Sequence, residues 1–363
     1  MKRALALGGT LLALVVLNIV LPRVTNPYYF QVLMLIGINI VLAVSLNLVN
    51  GFTGQFSIGH AGFMAVGAYT SAMFTLKIGQ PLAASWHFLP GPVAEGLALL
   101  MALVAGGLLA AVAGWIVGLP SLRLRGDYLA IVTLGFGEII RVFLNNLDAP
   151  VNITNGPKGI DTIDSIKILG FDFGKDHTVA GIEFHRVVMP SYYLFLLLVV
   201  ASVLICYRLE RSRIGRAWMA IREDEIAAKA MGINTRNLKL LAFGMGATFG
   251  GLSGVLFSTL QGFISPESFS LQESIIVVAM VVVGGIGHIP GVLVGALLLS
   301  ALPEVLRYVG DPLRNLTGGR IDAAILRQLL VALAMIVIML LRPRGLWPSP
   351  EHGKAAPAAA PAK

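Results

Sequence analysis

Polar side chains interrupt the apolar segments near the start of the chain, and they are the first candidates for chemistry. They are Asn39, Ser45, Asn47, Asn50, Gln55, Ser57 and His60. Each would cost free energy in an apolar medium unless it faced protein or water. The group therefore either lines a polar passage or makes hydrogen bonds between helices, and both alternatives stay open. The residues of a candidate substrate path are Asn47, Gln55, Ser57 and His60.

Two Glu–Arg pairs form a second group of candidate residues. Glu138 and Arg141 lie three residues apart in one apolar segment, and Glu304 and Arg307 repeat the spacing in a later one. Residues at this spacing share one face of a helix. Each pair is therefore expected to form an intramembrane ion pair with a structural role.

Known catalytic and cofactor patterns are absent from the sequence. His60 and His288 have no second ligand at the spacing of a metal site, and the chain has no P-loop, G-x-S-x-G or H-E-x-x-H string. We therefore expect no cofactor and no catalytic activity. If the chain takes part in active transport, the energy must come from another subunit or from an ion gradient.

The composition indicates lipid as the main solvent of the chain. Hydrophobic residues make up 56% of its 363 residues and charged residues 13%, with a mean hydropathy of +0.81. Soluble domains carry about 25% charged residues. So few charges cannot cover a water-facing surface, which excludes a soluble enzyme, a DNA-binding protein and a disordered protein.

Ten apolar segments are long enough to be considered as membrane-spanning helices, which need about 20 residues. They are 4–21, 29–49, 57–77, 93–118, 128–147, 190–208, 238–261, 272–286, 289–308 and 323–342. The first resembles a signal peptide but lacks a cleavage site, so a retained anchor is expected. The sequence predicts an all-α polytopic membrane protein with about ten transmembrane helices. A broken or re-entrant 272–286, which is short and glycine-rich at its end, would reduce the number to eight or nine.

The distribution of charge predicts the topology, because cytoplasmic loops are rich in Lys and Arg. The 208–239 loop has eight basic and four acidic residues, and the 119–127 loop and both terminal flanks are also basic. The 148–189 loop has six acidic and four basic residues. Ten spans place 148–189 outside and both termini in the cytoplasm. The net charge of +8 is then an orientation signal. Residues 1–347 form the transmembrane domain, and the Pro/Ala-rich 348–363 is expected to be a disordered tail.

A weak internal repeat points toward transport. Ile58-Gly59-His60 and Val66-Gly67-Ala68 recur 228 residues later as Ile286-Gly287-His288 and Val294-Gly295-Ala296. Duplicated membrane halves are typical of transporters. The alternative is that small residues merely let helices approach closely.

The basic 208–239 loop carries the sharpest local pattern. Helix-forming residues dominate between Gly215 and Gly232, with Trp218, Ile221 and Ala228 near helical spacing. This pattern predicts a short amphipathic helix whose charges face solvent, lipid headgroups or a soluble partner.

The order of several strings resembles the LivM-type permeases of branched-chain amino acid ABC importers, from about residue 30 to residue 345. The matching strings are Ser45–Leu48, Gly51–Ala61, Leu122–Arg141, Thr154–Ile160, Arg213–Gly232 and Val282–Gly287. The resemblance implies uptake of leucine, isoleucine and valine across a bacterial inner membrane by ATP-driven alternating access. It also implies a LivH-like second permease, two cytoplasmic ATPase subunits (LivG-like and LivF-like) and a periplasmic substrate-binding protein.

The same resemblance makes 208–239 the loop that couples the chain to an ATPase. Many importers carry E-A-A-x-x-x-G there; this chain has Ile226-Ala227-Ala228 followed by Gly232, with Glu225 one position early. The expected coupling residues are Arg213, Gly215, Arg216, Glu225, Ala227, Ala228 and Gly232.

The alternative functions are a related ABC importer for urea, short amides or sugars, and a gradient-driven secondary transporter. Related ABC permeases carry urea or short amides, and sugar permeases usually have Asp-Leu-Ser-Val-Gly where this chain has 55–59. A gradient-driven transporter would be expected to carry acidic ion ligands deep in several spans.

Overall fold

A computed structural model describes most of the chain. The described residues are 27–79, 91–124, 126–148, 152–161, 163, 167–168, 171–172, 177–179, 182–184, 191–316, 323–342 and 345–347. The expected first span at 4–21 and the expected disordered tail at 348–363 lie outside them.

The described chain is mainly α-helical. Its α-helices are α1 (Pro27–Asn47), α2 (His60–Phe74), α3 (Gly91–Ser121), α4 (Asp127–Asn145), α5 (Ser191–Glu210), α6 (Arg213–Glu223), α7 (Glu225–Ala230), α8 (Thr235–Gln261), α9 (Leu271–Gly284), α10 (Ile289–Leu316) and α11 (Ala323–Leu341). Two π-helical turns, Leu48–Phe52 and Thr75–Gly79, extend α1 and α2. Two 3₁₀ turns lie at Gly156–Lys158 and Pro266–Phe269.

Two short antiparallel strand pairs lie between α4 and α5, which the all-α expectation missed. β1 (Lys167–Ile168) pairs with β2 (Phe171–Asp172), and β3 (His177–Val179) pairs with β4 (Ile182–Phe184). Two residues separate the strands of each pair, and the second of them is a glycine. Glycine is favoured in two-residue hairpin connections, so the signal was present in the sequence.

Helices occupy nine of the ten segments that were predicted as spans. Five stretches within the described residues are long and apolar enough to cross a membrane. They are Gln31–Phe52, Leu97–Ser121, Thr235–Gln261, Pro266–Gly284 and Ile289–Arg307. The chain is therefore a multi-pass helical membrane protein, as the composition indicated.

The predicted start of one span was wrong. The span predicted at 57–77 begins at His60, because residues 54–59 are not helical. The span predicted at 289–308 agrees with the apolar stretch Ile289–Arg307, and the helix that contains this stretch continues to Leu316. Its apolar stretch ends near Arg307, but the helix itself does not need apolar residues to continue.

Helix α8 is the centre of the bundle. It packs most extensively against α3 and α2, and also against α1. A Cβ atom on Gly67 of α2 would lie 2.1 Å from the carbonyl oxygen of Gly251 in α8, and one on Gly254 would lie 1.9 Å from that of Met64. Gly295 of α10 is equally close to the Met280 carbonyl of α9, at 2.2 Å. Small residues thus bring backbones into contact, and this alternative explains Gly67 and Gly295 without a repeat.

The remaining helices surround this centre. α9 and α10 pack against each other and against α1, α11 packs on α10, α5 lies against α1 and α4 against α2. Helix α3 exposes a row of large apolar side chains three or four residues apart. They are Leu100, Val104, Leu108, Val112 and Trp115. One face of α3 is therefore apolar and open, as expected for a helix in contact with lipid.

Candidate functional site

The first element of the site is the connection between α1 and α2, residues 48–59, which we call the first junction. Asn50 fixes its non-helical part from inside. The Asn50 side-chain amide donates to the carbonyl of Ser57 (3.1 Å) and accepts from the Ser57 backbone N–H (3.0 Å). Thr53 Oγ1 donates to Val49 O (2.7 Å) and lies 3.2 Å from Gln55 Oε1. The Asn50 amide therefore satisfies both backbone polar groups of Ser57, which lies outside the helices.

The second element is the connection between α9 and α10, residues 285–288, which we call the second junction. Gly285 and Gly287 have φ angles of 122° and 83°. These are left-handed backbone conformations that favour glycine. The Gly-rich ending seen in the sequence is therefore a tight connection between two helices.

The two junctions touch. Asn47 Oδ1 accepts a hydrogen bond from the backbone N–H of Gly287 (2.8 Å), and a Cβ atom on Gly51 would lie 2.8 Å from that nitrogen. The hydrogen bond joins positions 240 residues apart in the sequence. The end of α1 and the first junction are therefore in direct contact with the second junction.

His60 opens α2 inside this region. Its ring is fully buried, its Nε2 lies 2.6 Å from Ser45 Oγ, and it packs edge-on against Phe63. The next backbone N–H, of Ala61, donates to Ser274 Oγ in α9 (3.2 Å). The start of α2 is thus held by α1 and α9.

All four residues of the predicted substrate path, Asn47, Gln55, Ser57 and His60, are buried in this region. Asn47 bonds to Gly287 and His60 bonds to Ser45, so both side chains make hydrogen bonds between different segments of the bundle. Such bonding was one of the two alternatives expected for these residues. Yet the described residues contain four buried side-chain atoms without a hydrogen-bond partner, and three of these belong to the predicted path. The four atoms are Asn47 Nδ2, Ser57 Oγ, His60 Nδ1 and Tyr69 Oη. The lining of a passage by these residues stays a prediction.

The Glu–Arg pairs are ion pairs in the structure. Arg141 Nε lies 2.9 Å from Glu138 Oε2, and Arg307 Nη1 lies 3.6 Å from Glu304 Oε1. Arg141 also reaches Glu267 Oε1 (3.1 Å) in the 3₁₀ turn before α9. Sequence spacing could not reveal Glu267, since it is 126 residues away. In the described part of the chain, no three His, Cys, Asp or Glu side chains are placed to hold a metal ion.

The third element of the site is the pair α6–α7, where a single amphipathic helix was expected. The helix divides at Asp224, whose Oδ1 accepts from the backbone N–H groups of Ile226 (2.8 Å) and Ala227 (3.1 Å). An aspartate in this position starts a new helix by satisfying its free N–H groups. The expectation of one helix was wrong because the Asp224 carboxylate caps the start of a second helix.

The apolar face predicted for this segment is buried. Trp218 is fully buried, and its Nε1 donates to the carbonyl of Leu238 at the start of α8 (2.8 Å). Ile221 and Ala228 are buried on the same side. The α6–α7 pair is therefore anchored to α8.

Six of the seven expected coupling residues fall into two groups, and the seventh, Glu225, is half-buried. Arg213, Arg216, Ala227 and Gly232 are exposed, whereas Gly215 and Ala228 are buried. Two large apolar side chains beside them are also exposed, Ile226 at 72% and Met231 at 83%. Exposed apolar side chains of this size beside charges are typical of a contact surface.

Glu225 connects α7 to α8. Its carboxylate lies 2.8 Å from Lys239 Nζ and 3.3 Å from Lys229 Nζ. Burial is the largest single influence and raises the pKa of Glu225, but the hydrogen bonds and charges of Lys239 and Lys229 together outweigh it. The pKa of Glu225 is therefore lowered, and the group is ionised at neutral pH.

Arg222 of α6 is a residue whose position the sequence did not reveal. Its Nη1 donates to the carbonyl oxygen of Gly51 in the first junction (2.7 Å), across 171 residues of sequence. No local spacing rule connects such distant positions.

The comparisons with known proteins all indicate the same family. A family model described as "Branched-chain amino acid transport system / permease component" matches residues 28–340. The high-affinity branched-chain amino acid transport permease LivM of Escherichia coli K12 is 39% identical, over 93% of this chain and 74% of its own length. A probable LivM of Methanocaldococcus jannaschii is 27% identical over 88% of this chain. The permease LivH of Salmonella typhimurium is 23% identical over 86%. No solved structure matches.

Proposed function

The chain belongs to the family of branched-chain amino acid transport permeases, and we propose that it is the LivM-like permease subunit of an ABC importer for leucine, isoleucine and valine. The identity to a LivM permease over nearly the whole chain carries this proposal. The lower identity to LivH permeases, 23–24%, supports a LivH-like protein as the second, different permease. ATP hydrolysis belongs to two separate ATPase subunits, and a periplasmic binding protein delivers the amino acid.

Ten spans with both termini in the cytoplasm are our proposed topology in the inner membrane, with residues 1–347 as the permease domain. α8 has 27 residues and rises about 40 Å at 1.5 Å per residue, more than the ~30 Å hydrocarbon core. Its start contacts α6, whereas Gly262 and Ile264, which directly follow its end, pair with Ile163 and Ile160. This supports opposite sides for the cytoplasmic 208–239 loop and the periplasmic 148–189 loop.

Coupling is proposed to occur through α6–α7. The exposed Arg213, Arg216, Ala227 and Gly232, with Ile226 and Met231, form the surface that docks on an ATPase subunit. Trp218 and Glu225 would transmit its movement to α8. Because α8 packs on α1, α2 and α3, that movement would shift the helices around the path between discrete arrangements.

The substrate path is proposed to pass beside the two junctions. Leucine, isoleucine and valine combine an apolar side chain with a zwitterion, so the path needs an apolar wall and a few polar groups. The unpartnered atoms of Asn47, Ser57 and His60 are suitable polar groups. They are buried in this arrangement, so the path opens there only when the junctions separate.

Labelled leucine uptake by cells that lack their own branched-chain amino acid importers tests the substrate. The chain is expressed with its second permease, both ATPases and the binding protein. We expect uptake that excess isoleucine and valine suppress and excess urea does not. Suppression by urea or acetamide, without competition by isoleucine, would instead assign the chain to the related amide importers.

A further inference from the structure

Arg222 lies where the α6–α7 pair meets both helix junctions. Besides its hydrogen bond to Gly51 O (2.7 Å), its side chain passes along Gly54, where a Cβ atom would lie 3.0 Å from Arg222 Cγ. A Cβ atom on Gly287 would lie 2.4 Å from Arg222 Nη1. One guanidinium group therefore contacts the first and the second junction at once.

The glycines around Arg222 leave room for this contact. Gly54 and Gly287 both have left-handed backbones, with φ of 68° and 83°. Any side chain at Gly287 would occupy the place of the guanidinium. The close approach of Arg222 to two backbones thus depends on the glycines that the sequence placed in both junctions.

The rest of α6 gives Arg222 a firm base. One turn earlier, the buried Trp218 donates to Leu238 O (2.8 Å), and Ile221 is buried beside Arg222. Because α6 cannot rotate freely about these anchors, a displacement of α6 must displace the guanidinium. A planar fork with five N–H donors can hold two backbone segments in one geometry.

We propose that Arg222 is the positioning residue that transmits movement of α6–α7 to the junctions at 48–59 and 285–288, and so couples ATP hydrolysis in the partners to opening of the path. Its contacts reach Gly51 and Gly54, which connect α1 to α2, and Gly287, which connects α9 to α10. This inference rests on the proposed function and adds the residue through which coupling acts.

The test measures leucine transported per ATP hydrolysed by the full importer in proteoliposomes. We expect R222M to lower this ratio by about tenfold, within the range of coupling between linked sites, while the ATPase rate stays within about twofold of wild type. R222K keeps the charge and one donor but not the fork, and should give an intermediate ratio. Arg123→Met removes an exposed charge outside α6–α7 and serves as the matched control.

A labelling experiment reports the movement itself and does not depend on transport. Cys206, which is buried, is replaced by Ala, and the exposed Phe56 of the first junction is replaced by Cys. In this background the maleimide labelling rate should change when the ATPases are trapped with vanadate. With R222M added, the complex should still trap vanadate, but the labelling rate should no longer change.

The outcomes separate this inference from the proposed function. Two results would overturn the role of Arg222 and leave the proposed function standing. One is a wild-type ratio of leucine transported to ATP hydrolysed in R222M. The other is a maleimide labelling rate that still changes with vanadate in R222M. If R222M failed to assemble, a wild-type ratio in R222K would overturn the role of the fork. Absence of leucine uptake in the wild-type importer would instead refute the proposed function.

Discussion

Glu225 is paired with two lysines that differ in exposure, so its two ion pairs can be separated by experiment. The side chain of Lys239 is 9% exposed and that of Lys229 is 57% exposed. Loss of one partner from a largely buried pair leaves an uncompensated charge, whereas an exposed pair is screened by water. The two lysines should therefore contribute unequally to stability.

We predict that Lys239→Met costs about 2 kcal/mol and that the matched control Lys229→Met costs less than about 1 kcal/mol. Thermal unfolding of the purified chain in detergent, followed by intrinsic fluorescence, measures the difference. Because the pKa of Glu225 is lowered from its ordinary value of 4.5, the stabilisation is present above pH 4.5 and is lost as pH falls through the lowered pKa. Equal midpoints for the two variants at pH 7 would contradict the assignment of Lys239 as the main partner.

Local spacing revealed some residues of the site and not others. Glu138 and Arg141 could be paired from the sequence because three residues make a fixed geometry on a helix. Arg222 with Gly51, and Asn47 with Gly287, are pairs that only the packing of α1, α6 and α9 creates. Their contact depends on the tertiary fold, which no pattern within one segment encodes.

Helix α8 offers a test at the scale of the elements, because two of its glycines have opposite surroundings. A Cβ atom at Gly254 would collide with the backbone of α2, where Met64 O is 1.9 Å away, whereas at Gly244 the nearest atom, Ala111 O, is 4.0 Å away. Both positions are helical, so both gain the same intrinsic preference of Ala over Gly, about 1 kcal/mol. Only the contact with α2 distinguishes them.

Gly254→Ala should therefore destabilise the chain by about 1–3 kcal/mol, the usual cost of overpacking. Gly244→Ala should be neutral or slightly stabilising. The thermal midpoint and the yield of monodisperse protein in detergent compare the two. A loss at Gly244 as large as that at Gly254 would show that α2 and α8 do not approach as described.

Helices that span about 20 apolar residues could be predicted from hydropathy alone, since the bilayer sets their length. The ends of the helices could not be predicted from hydropathy. The non-helical 54–59 segment is stabilised by Asn50, and the start of α7 is stabilised by Asp224. Both side chains replace backbone hydrogen bonds locally. Such substitutions leave the average hydropathy of a segment almost unchanged.

The described part of the chain is a helical bundle whose central helix, α8, contacts α6–α7 at its start and is followed by residues that pair with Ile160 and Ile163. The composition was enough to predict a membrane protein. The distribution of charge was enough to predict which loops lie on which side of the membrane. Neither the composition nor the charge distribution could predict that the two junctions meet, because this contact depends on how α1 and α9 pack. We propose that this chain is a gated path whose energy comes from partner subunits and reaches it through α6–α7.

Leucine accumulation in proteoliposomes made from purified components tests this claim most directly. The chain is reconstituted alone, with the second permease, and with the second permease, both ATPases and the binding protein. We predict uphill accumulation of labelled leucine only in the complete set and only with ATP. Accumulation against a leucine gradient by vesicles that contain this chain alone, driven by a proton or sodium gradient, would contradict the account.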